Sequence, residues 1–199
     1  MRKRGPLAGA NRPRSGQLHY RSPTKRAAPT RRPRHAQKSG VGGRDGGTTK
    51  TISQFSSITS TFSENFPAAG GWDAGYDLWT NNWTNETMIW NQWAGGQSFW
   101  PSQATTSLTL NGVPYTFVCN GSASACSTGG DHSQAELMFF RQTQVTSGSV
   151  DLLAAFQWEV AHGYANATDV PTQLEYGVEV CYTSGSETFP MTGLTMSVS

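Results

Sequence analysis

Six of the seven tryptophans fall between Trp72 and Trp100, alongside Asp73, Asp77 and Glu86, in a stretch that holds no Lys or Arg. These residue types suit sugar chemistry. An indole offers a flat face to the C–H groups of a pyranose ring, and carboxyls accept hydroxyl hydrogen bonds or act as acid and base in glycosidic cleavage. The same composition also suits an aromatic-rich sandwich core, so the strand period has to separate the two readings.

Alternation in Tyr76-Asp77-Leu78-Trp79 puts Asp77 and Trp79 on one face and Tyr76 and Leu78 on the other. In Glu86-Thr-Met-Ile-Trp90 it groups Glu86, Met88 and Trp90. Neighbouring strands with these faces on the concave side of a curved sheet would line one groove with two carboxyls, a thioether and two indoles. Near the C-terminus, Gly177-Val-Glu-Val180 sets Glu179 opposite a valine pair expected to point into the core. A charge in so apolar a strand is costly unless its face is a cleft or solvent.

The elements that must carry these residues read as β almost throughout. Strands are expected at Thr51–Glu64, Asp73–Trp79, Glu86–Trp93, Ala135–Thr146, Gln173–Tyr182 and Phe189–Val198. A hairpin joins Ser107–Asn111 to Val113–Val118 around Asn111-Gly112. Ser149–His162 departs from this period: Leu152, Leu153, Phe156 and Val160 fall at helical spacing behind a serine cap, and Gly163 ends the run. Trp158 is expected to pack. The reading is all-β, a two-sheet β-jelly-roll sandwich with one packed helix.

Cys119 and Cys126 bracket a turn-rich segment and are spaced to staple a hairpin tip in an oxidising compartment. Cys181 is left over, with a buried, inert thiol as the default. His132 and His162 are isolated and expected at the surface or at caps. No CxxC pair or His cluster points to a metal, and no cofactor is expected.

Charge divides the chain. Residues 1–50 hold 14 of the 15 Lys and Arg with one acid, Asp45, whereas residues 51–199 hold Arg141 against 12 acids. The first segment is rich in Arg, Pro and Gly and poor in large apolar residues, which predicts a disordered basic tail ahead of a domain at 51–199. Its charges follow no helical period and Tyr20 is its only aromatic, so no specific nucleic-acid partner is expected. Gly40-Val-Gly-Gly-Arg-Asp-Gly-Gly lacks the strand and Lys-Ser/Thr of a phosphate loop and reads as a linker. No apolar run suits a signal peptide or a membrane span.

Asp73-Ala-Gly-Tyr-Asp-Leu-Trp79, then Glu86-Thr-Met-Ile-Trp90, then a helix, then Gly177-Val-Glu179 resembles, in order, the endoglucanases and xyloglucanases of glycoside hydrolase family 12. The resemblance runs from about Thr51 to Ser199. It implies a jelly roll that cleaves β-1,4-glucan with retention, as a monomer. By position, Glu86 falls on the family's nucleophile and Glu179 on its acid/base. Asp77 falls on the carboxyl that bonds the nucleophile, and Met88 on the methionine beneath the sugar. Trp79 and Trp90 are expected to stack on substrate.

The family's opening strands, with an Asn-Asn-x-Trp-Gly platform, are replaced here by the basic tail. The expectation is a shortened enzyme of weakened or lost activity. A non-catalytic glucan-binding jelly roll is the first alternative, and a protein that binds nucleic acid through the tail is a more distant one. Family resemblance implies an extracellular setting, while the lack of a signal peptide in this chain leaves retention in the cytoplasm open.

Overall fold

A computed structural model describes residues 49–95, 104–183 and 185–199. Most of the basic tail, including the Gly40 linker, and Trp100 lie outside the described residues. A short 3-10 turn, Ile52–Gln54, leads into β1 (Ile58–Glu64), so the expected strand at Thr51–Glu64 begins only at its middle. Then follow β2 (Gly71–Thr80), β3 (Asn85–Ala94), β4 (Ala104–Leu110), β5 (Val113–Asn120), β6 (Glu136–Arg141) and β7 (Ser147–Asp151). The helix α1 (Leu152–His162), β8 (Pro171–Tyr182) and β9 (Met191–Val198) complete the order.

Two sheets form, ordered β7-β1-β9 and β4-β5-β6-β3-β2-β8. All pairings are antiparallel except β3 with β6. The expected Ala135–Thr146 strand is split: β6 ends at Arg141, and the chain crosses to the other sheet as β7. Asn111 and Gly112, with φ of 46° and 81°, close the predicted β4–β5 hairpin in the left-handed geometry that two-residue turns require.

Alternation gives the six-stranded sheet two apolar faces. The inner one carries Tyr76 and Leu78 of β2, Ile89 of β3, Phe117 of β5, Leu137 and Phe139 of β6 and Tyr176 of β8, packed against Ile58 and Phe62 of β1 and against Leu152 and Phe156 of α1. The outer face has its own smaller cluster of Met88, Val118, Met138 and Phe140, with Trp90 against it. That outer face holds the candidate site.

The helix is capped by Asp151, whose Oδ1 accepts from Ala154 N at 3.0 Å, and not by Ser149, because β7 keeps the chain extended through that serine. Gly163, at φ 75°, ends it as expected. Trp158 packs on Phe117 at 4.6 Å and His162 at 4.0 Å.

Cys119 and Cys126 form a disulfide. His132 does not lie at the surface: it is buried, with Nδ1 2.7 Å from Ala125 O and Nε2 3.1 Å from Gly163 O, so it ties the disulfide loop to the helix end. His162 is exposed and caps its helix through Trp158 O. Cys181 is exposed, and Val180 is 37% exposed, contrary to the expected core placements. β8 is an edge strand, and its last four residues are all exposed.

Candidate active site

Register across β3, β2 and β8 positions the site. Trp79 lies opposite Glu86, Asp77 opposite Met88, and Gly75 opposite Trp90. On the other side of β2, Asp77 lies opposite Glu175, Gly75 opposite Gly177 and Asp73 opposite Glu179. Directly opposed residues share a face, so Asp73, Asp77, Glu86 and Glu179 all sit on the outer side.

The register slips between Ala74 and Gly75, where β3 carries one extra residue, Asn91. The slip puts Trp93, three residues after Trp90, on the same face as Trp90, opposite Asp73. Gly75 permits the approach: a Cβ there would lie 2.2 Å from Ile89 O.

A cleft of about 210 Å3 opens on this face. Glu86, Met88, Trp90, Asp73 and Glu179 line it, joined by Trp72, Trp93, Asn120, Glu136, Met138, Phe140 and Cys181. Trp90 and Phe140 meet edge to face at 4.9 Å, and Trp93 lies 6.0 Å from Phe140. These rings and the two methionines supply apolar surface for a sugar face; the carboxyls and Asn120 supply the polar edge.

Parallel pairing of β6 with β3 sets Glu136 beside Glu86, Met138 beside Met88 and Phe140 beside Trp90. Asn120 Nδ2 donates to Glu136 Oε2 at 2.7 Å.

Crowding governs the protons. Burial, then the charges of Asp77, Glu136 and Glu179 and a hydrogen bond with Asp77, push Glu86 up to about 9. Both the charge of Asp77 and its hydrogen bond favour the protonated form of Glu86. Burial, then Glu179, Asp77 and Glu136, hold Asp73 well above the usual carboxyl range. The Cys181 thiol, exposed overall but set against the cleft wall, is raised by partial desolvation, then by Asp73 and Glu179.

Of the residues singled out from sequence, Glu86, Glu179, Met88 and Trp90 meet in the cleft. Asp77 lies outside its lining, hydrogen-bonded to Glu86. Trp79 is also outside the lining, its ring 5.3 Å from Trp83. Asn81, Asn82 and Trp83 all have positive φ, a left-handed run that brings Trp83 beside Trp79. Asn81 anchors that turn, donating to Asp169 Oδ1 at 2.8 Å and accepting from Val170 N at 3.0 Å.

Sequence reasoning did not assign Asp73, Trp93, Glu136, Met138, Phe140 and Asn120 to the site. Asp73 shares the parity of Asp77 and was readable from it. Trp93 depends on the bulge, and the β6 residues on a long-range pairing.

No family model and no curated protein sequence matches the chain. Solved structures match in shape. The xyloglucanase domain of NopAA, a type three effector from Sinorhizobium fredii in complex with cellobiose, aligns with TM-score 0.64 at 19% identity, over 77% of this chain and 73% of that one. The endoglucanase cel12A from Rhodothermus marinus aligns with TM-score 0.64 at 21% identity, over 76% and 66%. A family 12 xyloglucanase from Bacillus licheniformis aligns with TM-score 0.60 at 18% identity, over 75% and 65%. The chain thus spans between 65% and 73% of the length of these structures. What they share with it is the architecture: the chain has the β-jelly-roll fold of family 12 glycoside hydrolases.

Proposed function

We propose that the protein is a glycoside hydrolase of the endo-1,4-β-glucanase type, cleaving β-glucan with retention of configuration. One observation carries this reading: Glu86 and Glu179, on strands separated only by β2, line a single cleft walled by Trp90, Trp93 and Met88. Glu86 attacks the anomeric carbon as its bond to the leaving oxygen breaks, and Glu179 delivers a proton to that oxygen. Water, deprotonated by Glu179, then releases the sugar from Glu86. Attack needs Glu86 ionised, and Asp77, whose charge and hydrogen bond raise Glu86, sets the pH at which that ionisation occurs. The rings of Trp90, Trp93 and Phe140 and the thioether of Met88 seat the sugar.

The Cys119–Cys126 bridge supports a setting outside the reducing cytoplasm, where glucan polymers are met. The test is release of reducing ends from mixed-linkage glucan and xyloglucan by the full chain, with product anomers followed by NMR. Cleavage with retained β-configuration is expected. Binding without cleavage would favour a non-catalytic glucan-binding domain, and inverted product would exclude the covalent route.

A further inference from the structure

We propose that the cleft takes an amine-bearing β-1,4-glycan of the chitosan type, with Asp73 and Glu136 receiving its ammonium groups. This inference rests on the hydrolase reading above. That mechanism uses Glu86 and Glu179, with Asp77 in support, and leaves two cleft carboxyls without a task. Each neighbours one member of the reacting pair: Asp73, on the strand between them, faces Glu179 across β2–β8, and Glu136 sits beside Glu86 across β3–β6.

Asp73 makes the case specific. It is only 6% exposed, lines the cleft, and accepts no hydrogen bond from any described residue. A buried carboxyl without a donor is costly, and natural folds seldom leave one unserved. Glu136 has one oxygen engaged by Asn120, which fixes the side chain and leaves its other oxygen for a ligand. Neither Lys, Arg nor His lines the cleft among the described residues. A neutral glucan brings hydroxyl donors and no charge, so the carboxyl crowd stays uncompensated. An ammonium beside Asp73 favours its ionised form and gives each carboxylate a charge-assisted hydrogen bond, and the faces of Trp90 and Trp93 attract the same cation.

Asp73 and Glu136 stand on strands separated by β3, and among the described residues no three carboxyls converge in the manner of metal ligands. Separated charges fit a polymer with one amine per sugar. At longer range, residues 51–199 carry Arg141 against 12 acids, a field that draws in a polycation.

The experiment compares initial rates of the full chain on mixed-linkage glucan and on deacetylated chitosan, at about pH 5.5 where the amines are charged. Chitosan cleavage is expected, with kcat/KM falling roughly tenfold between low salt and about 0.3 M NaCl while the glucan rate holds. Asp73→Asn should lower the chitosan-to-glucan ratio of kcat/KM about tenfold. Glu136→Gln, at a more exposed position, should lower it in the same direction and serves if the Asp73 variant does not fold. Glucan cleavage without chitosan cleavage overturns the amine assignment and leaves the glucanase reading standing. Cleavage of neither overturns both. A ratio unchanged in both folded variants also overturns the assignment of these two residues.

Discussion

The molecule gathers carboxyls in two places and treats them in opposite ways. Between the sheets, Glu64 and Glu159 each receive a hydroxyl, Tyr176 donating to Glu64 and Thr87 Oγ1 to Glu159 at 2.9 Å, and Glu159 feels one further acid, Asp169. On the outer face, Asp73, Glu86, Glu136 and Glu179 share one cleft, with Asp77 behind Glu86. Burial is the largest cause of the raised pKa in both places, but only in the cleft do several neighbouring carboxylates add to it. A core carboxyl placed for architecture has at most one acid near it and is given a donor. A cleft that crowds carboxyls together sacrifices local stability for a proton that can be moved.

The sharpest way to break the comparison is to neutralise one carboxyl of each kind. Glu86→Gln or Glu179→Gln should lower glucan turnover about a thousandfold, with a melting temperature equal to or above the parent's because repulsion is relieved. Glu159→Gln keeps an oxygen for Thr87 and lies on the opposite face of the sheet, so turnover should stay within about threefold of the parent. Comparable activity losses in both kinds of variant would erase the distinction.

Stability against pH tests the core carboxyls directly. Burial raises Glu159 to about 8 and Glu64 to about 7, in each case opposed by the donated hydroxyl. Both exceed the unfolded value of about 4.5, so the native state binds more protons than the unfolded chain between those limits. The stability these groups contribute is whole below about pH 4.5 and is lost as pH rises through about 7 and 8. For Glu159, which is 1% exposed, the loss is on the order of 4 kcal/mol. Melting temperature should therefore fall from pH 5 to about pH 8, and Glu159→Gln should flatten that fall; a parallel curve for the variant would show that Glu159 is not its source.

How much of this was written in the sequence follows from the range of each interaction. Period two alone grouped Glu86, Met88 and Trp90, because neighbours in one strand need no partner to fix their faces. The turn at Asn111-Gly112 and the bridge across seven residues were local as well. Glu136, Met138 and Phe140 have the same alternation but become site residues only through parallel pairing with β3, which no local pattern encodes. Trp93 escaped because the bulge at Asn91 breaks parity. The helix cap moved from Ser149 to Asp151 because β7 competes for the serine's backbone.

The disulfide links the two regions. Cys119 is buried on the inner face, and the next residue, Asn120, turns outward to hold Glu136. Closing so short a loop contributes roughly 2–3 kcal/mol through the unfolded state. Cys119→Ser with Cys126→Ser should lower stability by about that amount, while the position of Asn120, set by its pairing with Glu136 across β5–β6, should persist. Glucan kcat near the parental value below the melting transition is expected. A large loss of kcat in the folded double variant would mean that the bridge itself shapes the cleft wall.

The smallest effect concerns Asp77, which stands between the two kinds. It lies outside the cleft lining like a structural carboxyl, yet its hydrogen-bonding partner is the carboxyl of Glu86. Its charge is the largest contribution to the rise of Glu86 after burial. Attack requires ionised Glu86, so kcat/KM declines on the acid side as Glu86 takes up its proton. Asn at position 77 removes the charge and offers Glu86 a donor. Ionisation of Glu86 then becomes easier, and the acid limb of kcat/KM should move to lower pH by about one unit. If Asp77 were merely structural, Asp77→Asn would lower stability and leave the acid limb in place. An acid limb displaced to higher pH would mean that a protonated Asp77 had been stabilising ionised Glu86 as a donor that Asn does not replace.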